Sequence, residues 1–140
     1  MDDTDRHLIS LLRDNARLSV ATLAKKLAVS RGTVQNRIDR LIRQGSIEGF
    51  TIMAKSDSGA IRAIMMIGIE GERSDRIRDE LKRFPEIKAV HTTNGRWDMV
   101  VEMATENLEG FDRVLHRIRQ IAGISASETS LLLSSYRFLA

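Results

Sequence analysis

The chain has 140 residues and a mass of 15.8 kDa, room for one ordinary domain or two small ones and too little for a multi-domain enzyme. It is 42% hydrophobic and 29% charged with a single proline, the balance of a folded protein with a core to bury and not of a disordered tail. Without cysteine it has no disulfide framework, thiolate metal cluster or cysteine nucleophile. Its start, Met1-Asp2-Asp3-Thr4-Asp5, is unlike a secretory signal, and no apolar run reaches the roughly 20 residues of a membrane helix, so a soluble, cytoplasmic protein is expected.

The net charge of +3 is unevenly spread. Residues 1–60 hold 10 Lys and Arg against 7 acids, whereas residues 61–140 hold 12 against 12. Within residues 25–43, six bases (Lys25, Lys26, Arg31, Arg37, Arg40, Arg43) face one acid, Asp39. A basic element on a near-neutral body points to a polyanion partner, unless it is only a solvated helix face.

Leu8, Ile9, Leu12 and Ala16 recur at helical spacing behind an acidic first turn, with Thr4 as the expected cap. Ser19 opens a second helix with apolar Val20, Leu23, Ala24 and Leu27 at i, i+3, i+4 and i+7. Ser30 opens a third, with a stripe of Val34, Ile38, Leu41 and Ile42 and a stop at Gly45. Only Ala28-Val29-Ser30 separates the last two, the spacing of a helix-turn-helix whose second helix reads the DNA major groove. Opposite the apolar stripe lie Gly32, Thr33, Asn36, Arg40 and Arg43, flanked by Arg31, Gln35 and Arg37. Arg can bridge guanine O6 and N7, Asn or Gln can bridge adenine N6 and N7, and Thr can touch a thymine methyl. Ser30 at the helix start and Lys25, a phosphate contact, complete the expected interface. Asp39 is discordant and is expected to pair with Arg43, one turn on. Ile47 to Ile52 alternates like a strand, so a winged variant is expected over residues 1–53.

Residues 54–60 are polar and small and read as a linker. In residues 61–140, Ala63 to Ile69 is an apolar run of strand length. Ile77, Leu81 and Phe84 mark a helix closed by Pro85. Ile87–Thr93 and Trp97–Met103 read as a hairpin around Asn94-Gly95-Arg96. Leu108 to Ile121 is a second helix, stopped by Gly123, and Ser127–Tyr136 a last strand. This βαββαβ order predicts an α+β chain: a winged helix-turn-helix followed by a ferredoxin-like sandwich. Ile64, Met66, Val90, Val100 and Leu132 share strands with Met65, Ile67, Ala89, Met99, Val101, Leu131 and Leu133. Both sheet faces are therefore apolar, and a homodimer through this half, on a palindromic DNA site, is expected.

The chain resembles the Lrp/AsnC family of leucine-responsive and asparagine-responsive transcription regulators. The likeness runs through Asp5-Arg6, Leu8-Ile9, Asn15 to Ser19, Leu23-Ala24, Val29-Ser30, Val34, Arg37-Ile38 and Leu41 to Phe50. It continues through Phe84-Pro85-Glu86-Ile87, Gly95-Arg96-Trp97-Asp98 and Ile121 to Ile124. The resemblance implies an N-terminal DNA-binding domain and a C-terminal domain that dimerises, assembles dimers into tetramers or octamers and binds a small amino acid. It also implies an effector pocket between dimers, built from Asn94, Gly95, Arg96, Trp97 and Asp98 together with Ser127 and Thr129 of a neighbouring subunit. Chemically, Gly95 allows close backbone approach, Asp98 suits an ammonium and Arg96 a carboxylate. Two departures stand out. Ala28 occupies a turn position often taken by glycine, and the chain stops directly after the last strand, at Tyr136 to Ala140.

The competing reading is an amino-acid-binding or enzymatic ferredoxin-like module whose N-terminal helices contact protein. His7, His91 and His116 lack second ligands at metal spacing, and no nucleophile elbow, phosphate loop or dinucleotide fingerprint occurs. Asp98 and Glu102 on one strand face are the sole candidate carboxylate pair. No enzyme, cofactor or metal site is expected.

Overall fold

The computed structural model describes residues 1–54, 60–136 and 138. The described residues divide into two compact units, one holding residues 1–54 and the other residues 60–136. The expected linker, apart from Ala54 and Ala60, lies outside the described residues.

The first unit is three helices: α1 (Asp3–Asp14), α2 (Val20–Leu27) and α3 (Arg31–Arg43). Asp2, not Thr4, caps α1. Its carboxylate accepts the Asp5 N–H while Asp5 accepts the Asp2 N–H, a reciprocal box that satisfies two orphan donors at once. Ser19 and Ser30 cap α2 and α3 through the N–H groups of Thr22 and Thr33, both at 3.1 Å. Leu8, Leu12, Leu23, Ala24, Val34 and Leu41 form the core. Each fully buried Leu contributes roughly 1.5–3 kcal/mol by leaving water. Gly45 follows α3 with φ +73°, the left-handed stop that its lack of a Cβ permits. Ala28 ends α2 in the same left-handed region, at φ 55°, ψ 43°. It is the one non-glycine described residue to do so.

Two expectations fail here. Ile42 is 46% exposed, because α3 buries only the narrower Val34–Leu41 line. Residues 47–52 are not a strand. Their alternation is real, but a strand needs a ladder partner, and among the described residues none pairs with this segment. Ile47 packs on the core while Phe50 and Ile52 are exposed.

The second unit is β1 (Ile61–Ile69), α4 (Ser74–Leu81), β2 (Ile87–Thr92), β3 (Met99–Thr105), α5 (Leu108–Arg119) and β4 (Ile124–Leu131). The sheet is antiparallel in the order β2-β3-β1-β4. Ala63, Met65, Ile67, Met99, Val101 and Met103 point into a core closed by Ile77 and Leu81 of α4 and Val114 and Ile118 of α5. A bulge at Ile87/Ala89 pairs Val90 with Val101 and Ala89 with Glu102. It thereby exchanges the faces expected for Val90 and Ala89. The open face carries half-buried Ile64, Met66, Ala89 and Val100. The last strand begins and ends earlier than expected. It is an edge strand whose one partner, β1, starts at Ile61, so pairing stops with the Leu132 N–H on the Arg62 carbonyl.

Candidate nucleic-acid interface

The α2–α3 turn leaves one side of α3 open. Arg31, Gly32, Gln35, Asn36 and Arg43 are exposed there, as are Ser30 and, on α2, Lys25. Among the described residues Arg31, Arg43 and Lys25 have no acidic partner within ion-pair distance, and the Asn36 amide makes no hydrogen bond. The Gln35 amide donates to Asp39 Oδ1 at 2.9 Å. Asp39 therefore partners Gln35 and not Arg43, one turn earlier instead of later. Ser30 and Thr33 share a hydroxyl hydrogen bond of 2.8 Å, leaving the Thr33 methyl for apolar contact.

Arg37 and Arg40 depart from the expected outward face. Arg40 Nη2 donates to both carboxylate oxygens of Asp5, at 2.8 and 2.7 Å. Arg37 Nη1 donates to Asp5 Oδ1 at 2.8 Å and to both oxygens of Asp2, at 2.8 and 2.7 Å. Asp5 is 1% exposed. A buried carboxylate must find cations or lose its charge, and these two arginines are the ones α3 brings within reach. Burial opposes the Asp5 charge, but the Arg37 hydrogen bond, the Asp2 N–H and the Arg40 charge overcome it and hold the carboxyl below its usual range. The Arg37 hydrogen bond, helped by the Asp5 N–H, lowers Asp2 to about 2. Arg37 is raised in turn, chiefly by Asp2 and then by Asp5.

Sequence reasoning missed Asp2 and Asp5. The signal was present: Asp5 lies in line with Leu8 and Leu12 at i, i+3 and i+7, so it shares the buried stripe. Of the six bases between residues 25 and 43, Arg37 and Arg40 are neutralised from α1. The open positive surface is narrower than composition implies.

In the second unit, Asn94 to Asp98 form one exposed loop closing the β2–β3 hairpin. The Thr93 N–H donates to the Asp98 carbonyl at 3.1 Å, and the Thr93 hydroxyl binds the Trp97 carbonyl. The Arg96 guanidinium lies 5.5 Å from the centre of the half-buried Trp97 ring. Asp98 ties the loop to β1, its N–H on the Ile67 carbonyl at 2.9 Å and its Oδ2 accepting the Ile69 N–H at 2.7 Å. That carboxylate oxygen serves the sheet, which the spacing alone did not reveal. Gly95 has no left-handed φ, and an added Cβ there would meet only Thr93 Oγ1, at 3.8 Å. The turn itself does not require glycine. Ser127 flanks Ile67 on the strand side opposite Asp98. Thr129 pairs with Met65 on the helix-covered face, its hydroxyl buried without a hydrogen-bond partner. One subunit therefore does not bring the seven expected effector residues into a single pocket.

His91 Nε2 lies 2.8 Å from Glu102 Oε2, so Glu102 is engaged away from Asp98 and the two do not form a carboxylate pair. Among the described residues no three His, Asp or Glu side chains group as metal ligands, and no helix is long and apolar enough to cross a membrane.

A helix-turn-helix head followed by a four-stranded α+β domain defines a two-domain transcriptional regulator. Residues 1–42 match the AsnC-type helix-turn-helix domain and residues 62–138 the Lrp/AsnC ligand binding domain. The chain belongs to the Lrp/AsnC family. It is 34% identical over 135 residues to the uncharacterized HTH-type transcriptional regulator PH1916 of Pyrococcus horikoshii, covering 92% of this chain and 90% of that protein. It is 30% identical over 137 residues to the HTH-type transcriptional regulator LysM of Saccharolobus solfataricus, covering 97% and 96%. The transcriptional regulator NMB0573 of Neisseria meningitidis, solved as a complex with L-Met, shares the fold. Its TM-score is 0.84 at 19% identity, covering 99% of this chain and 93% of that one.

Proposed function

We propose that this regulator binds palindromic duplex DNA as a homodimer, with the exposed side of α3 in the major groove, and that a small amino acid modulates its binding or assembly. The observation that carries the DNA reading is the division of labour on α3. Arg37 and Arg40 are held by Asp2 and Asp5, while Arg31, Gln35, Asn36 and Arg43 stay exposed. Of the expected contacts, these four with Lys25, Ser30, Gly32 and Thr33 form the reading surface, and Arg37 and Arg40 anchor it. Catalysis has no place in this reading. Selection of bound fragments from random duplex DNA tests it: a consensus with two-fold symmetry is expected, and recovery of no enriched sequence refutes it.

The homodimer is supported by the open sheet face of Ile64, Met66, Ala89 and Val100, an apolar surface of the kind that marks an interface. The effector reading is supported by Gly95, which the fold does not require and which leaves the loop backbone open to a ligand. It is supported as well by the L-Met bound in the complex of NMB0573. Asn94, Arg96, Trp97 and Asp98, with Ser127 and Thr129 of another subunit, would complete that site.

A further inference from the structure

Asp39 is the one acid in residues 25–43, against six bases, and neither the anchoring of α3 nor the reading surface above gives it a role. Its place on the helix is central. Thr33, Arg37 and Arg40 are half-buried, which leaves Arg31, Gly32, Gln35, Asn36, Asp39 and Arg43 as the exposed residues of α3 besides Ile42. At about 100° per residue, Asp39 falls in the middle of that fan, between Gln35 on one side and Gly32, Arg43 and Asn36 on the other. Gly32, Gln35, Asn36 and Asp39 stand at i, i+3, i+4 and i+7, the spacing at which a recognition helix lays base-reading side chains along the major groove. The Gln35 amide donates to Asp39 Oδ1 at 2.9 Å and so holds the carboxylate on the open side. Among the described residues no other hydrogen bond reaches that carboxylate, and no cation lies within ion-pair distance of it, Arg43 one turn on included. Oδ2 is left as a free acceptor.

An unneutralised carboxylate in the middle of a surface that meets phosphates weakens binding to every sequence, unless it accepts a hydrogen bond from a base. In the major groove only cytosine N4 and adenine N6 donate. Guanine and thymine present acceptors that repel a carboxylate, and adenine sets its N7 acceptor beside the amino group. Cytosine is the base that remains. Resting on the DNA reading above, we propose that Asp39 is a specificity-determining residue: its carboxylate accepts the N4 amino group of a cytosine in each half-site while Gln35 holds it in place. Such a residue works as much by rejecting the other bases as by binding this one.

Selection from random duplex DNA with the full chain, as wild type and as Asp39→Ala, tests the role of Asp39. Wild type is expected to select a cytosine at one position of each half-site. Asp39→Ala should keep the rest of the consensus and lose that preference, its discrimination there falling by about fivefold or more. It should also bind random duplex DNA about threefold more tightly at low salt, since a like charge has left the neighbourhood of the phosphates. N4-methylcytosine at the selected position gives a readout independent of variant folding, because it puts a methyl group where the amino hydrogen faces the groove and keeps the pair with guanine. It should weaken wild-type binding by about fivefold or more and leave Asp39→Ala unaffected. A consensus that Asp39→Ala reproduces unchanged, or wild-type binding indifferent to the N4 methyl group, overturns the role of Asp39 and leaves the DNA reading standing. If wild type enriches no sequence, the DNA reading falls and the role of Asp39 with it.

Discussion

Asp5 Oδ2 and Arg40 Nη2 lie 2.7 Å apart although 35 residues separate them in the chain. The pair joins the first turn of α1 to the last turns of α3, with Arg37 bridging the same carboxylate to Asp2. The orientation of the reading helix is thus coupled to a charge buried beneath it, and the consequences can be measured.

Asp5→Ala leaves Arg40 without its carboxylate, strips Arg37 of one of its two, and removes half of the α1 capping box. The charges left behind are partly exposed, Arg37 at 22% and Arg40 at 40%, so the loss of these charge-assisted bonds costs about 1–3 kcal/mol, and urea denaturation should show it. Asp2→Asn should do less, since Asn also caps well and Arg37 keeps Asp5. A change indistinguishable from zero in Asp5→Ala would mean that the pair contributes nothing.

The same groups set an acid limit. Asp2 titrates at about 2 in the folded chain against an ordinary 3.8, and Asp5 is lowered as well. A depressed carboxyl contributes stability in full above its unfolded value and loses it as pH falls through the folded one. The stability gap between wild type and Asp2→Asn should therefore be constant above about pH 5 and close between pH 3.8 and 2. A gap that widens on acidification contradicts the assignment.

Ala28 holds a left-handed conformation that costs an L-residue roughly 1–2 kcal/mol, offset in part by the backbone freedom glycine loses on folding. Ala28→Gly should raise stability by about 0.5–1 kcal/mol, seen as a higher midpoint in thermal unfolding. Lower stability would show that the methyl packs.

On DNA, Asn36→Ala should cost about 1–3 kcal/mol on a selected site and relax one base preference, while Lys25→Ala weakens all sequences alike and flattens the salt slope. Arg40→Ala should behave differently, lowering fold stability without relaxing any single base preference. Competition binding against a library of single-base variants separates the three.

Gly95→Val should leave stability unchanged, because the space beside Gly95 is open, yet remove any response of DNA binding to an amino acid at the loop. A retained response would take Gly95 out of the effector site. Asp98 is a poor probe of the same question, since its replacement also removes the acceptor of the Ile69 N–H.

Periodicity, capping residues and charge counting were enough to read three helices with a helix-turn-helix spacing and a βαββαβ domain, because these follow from neighbours along the chain. Ser19, Ser30 and Gly45 act locally and were legible as such. The fates of Arg37, Arg40 and Asp98 were not, because each is decided by a partner brought near only by folding: Asp5, Asp2 and the Ile69 N–H. The 47–52 segment shows the same divide, since alternation is written in sequence but a ladder needs a second strand. Short-range preference could be summed residue by residue, whereas the pairing of charges over long separations depends on geometry that exists only in the folded chain.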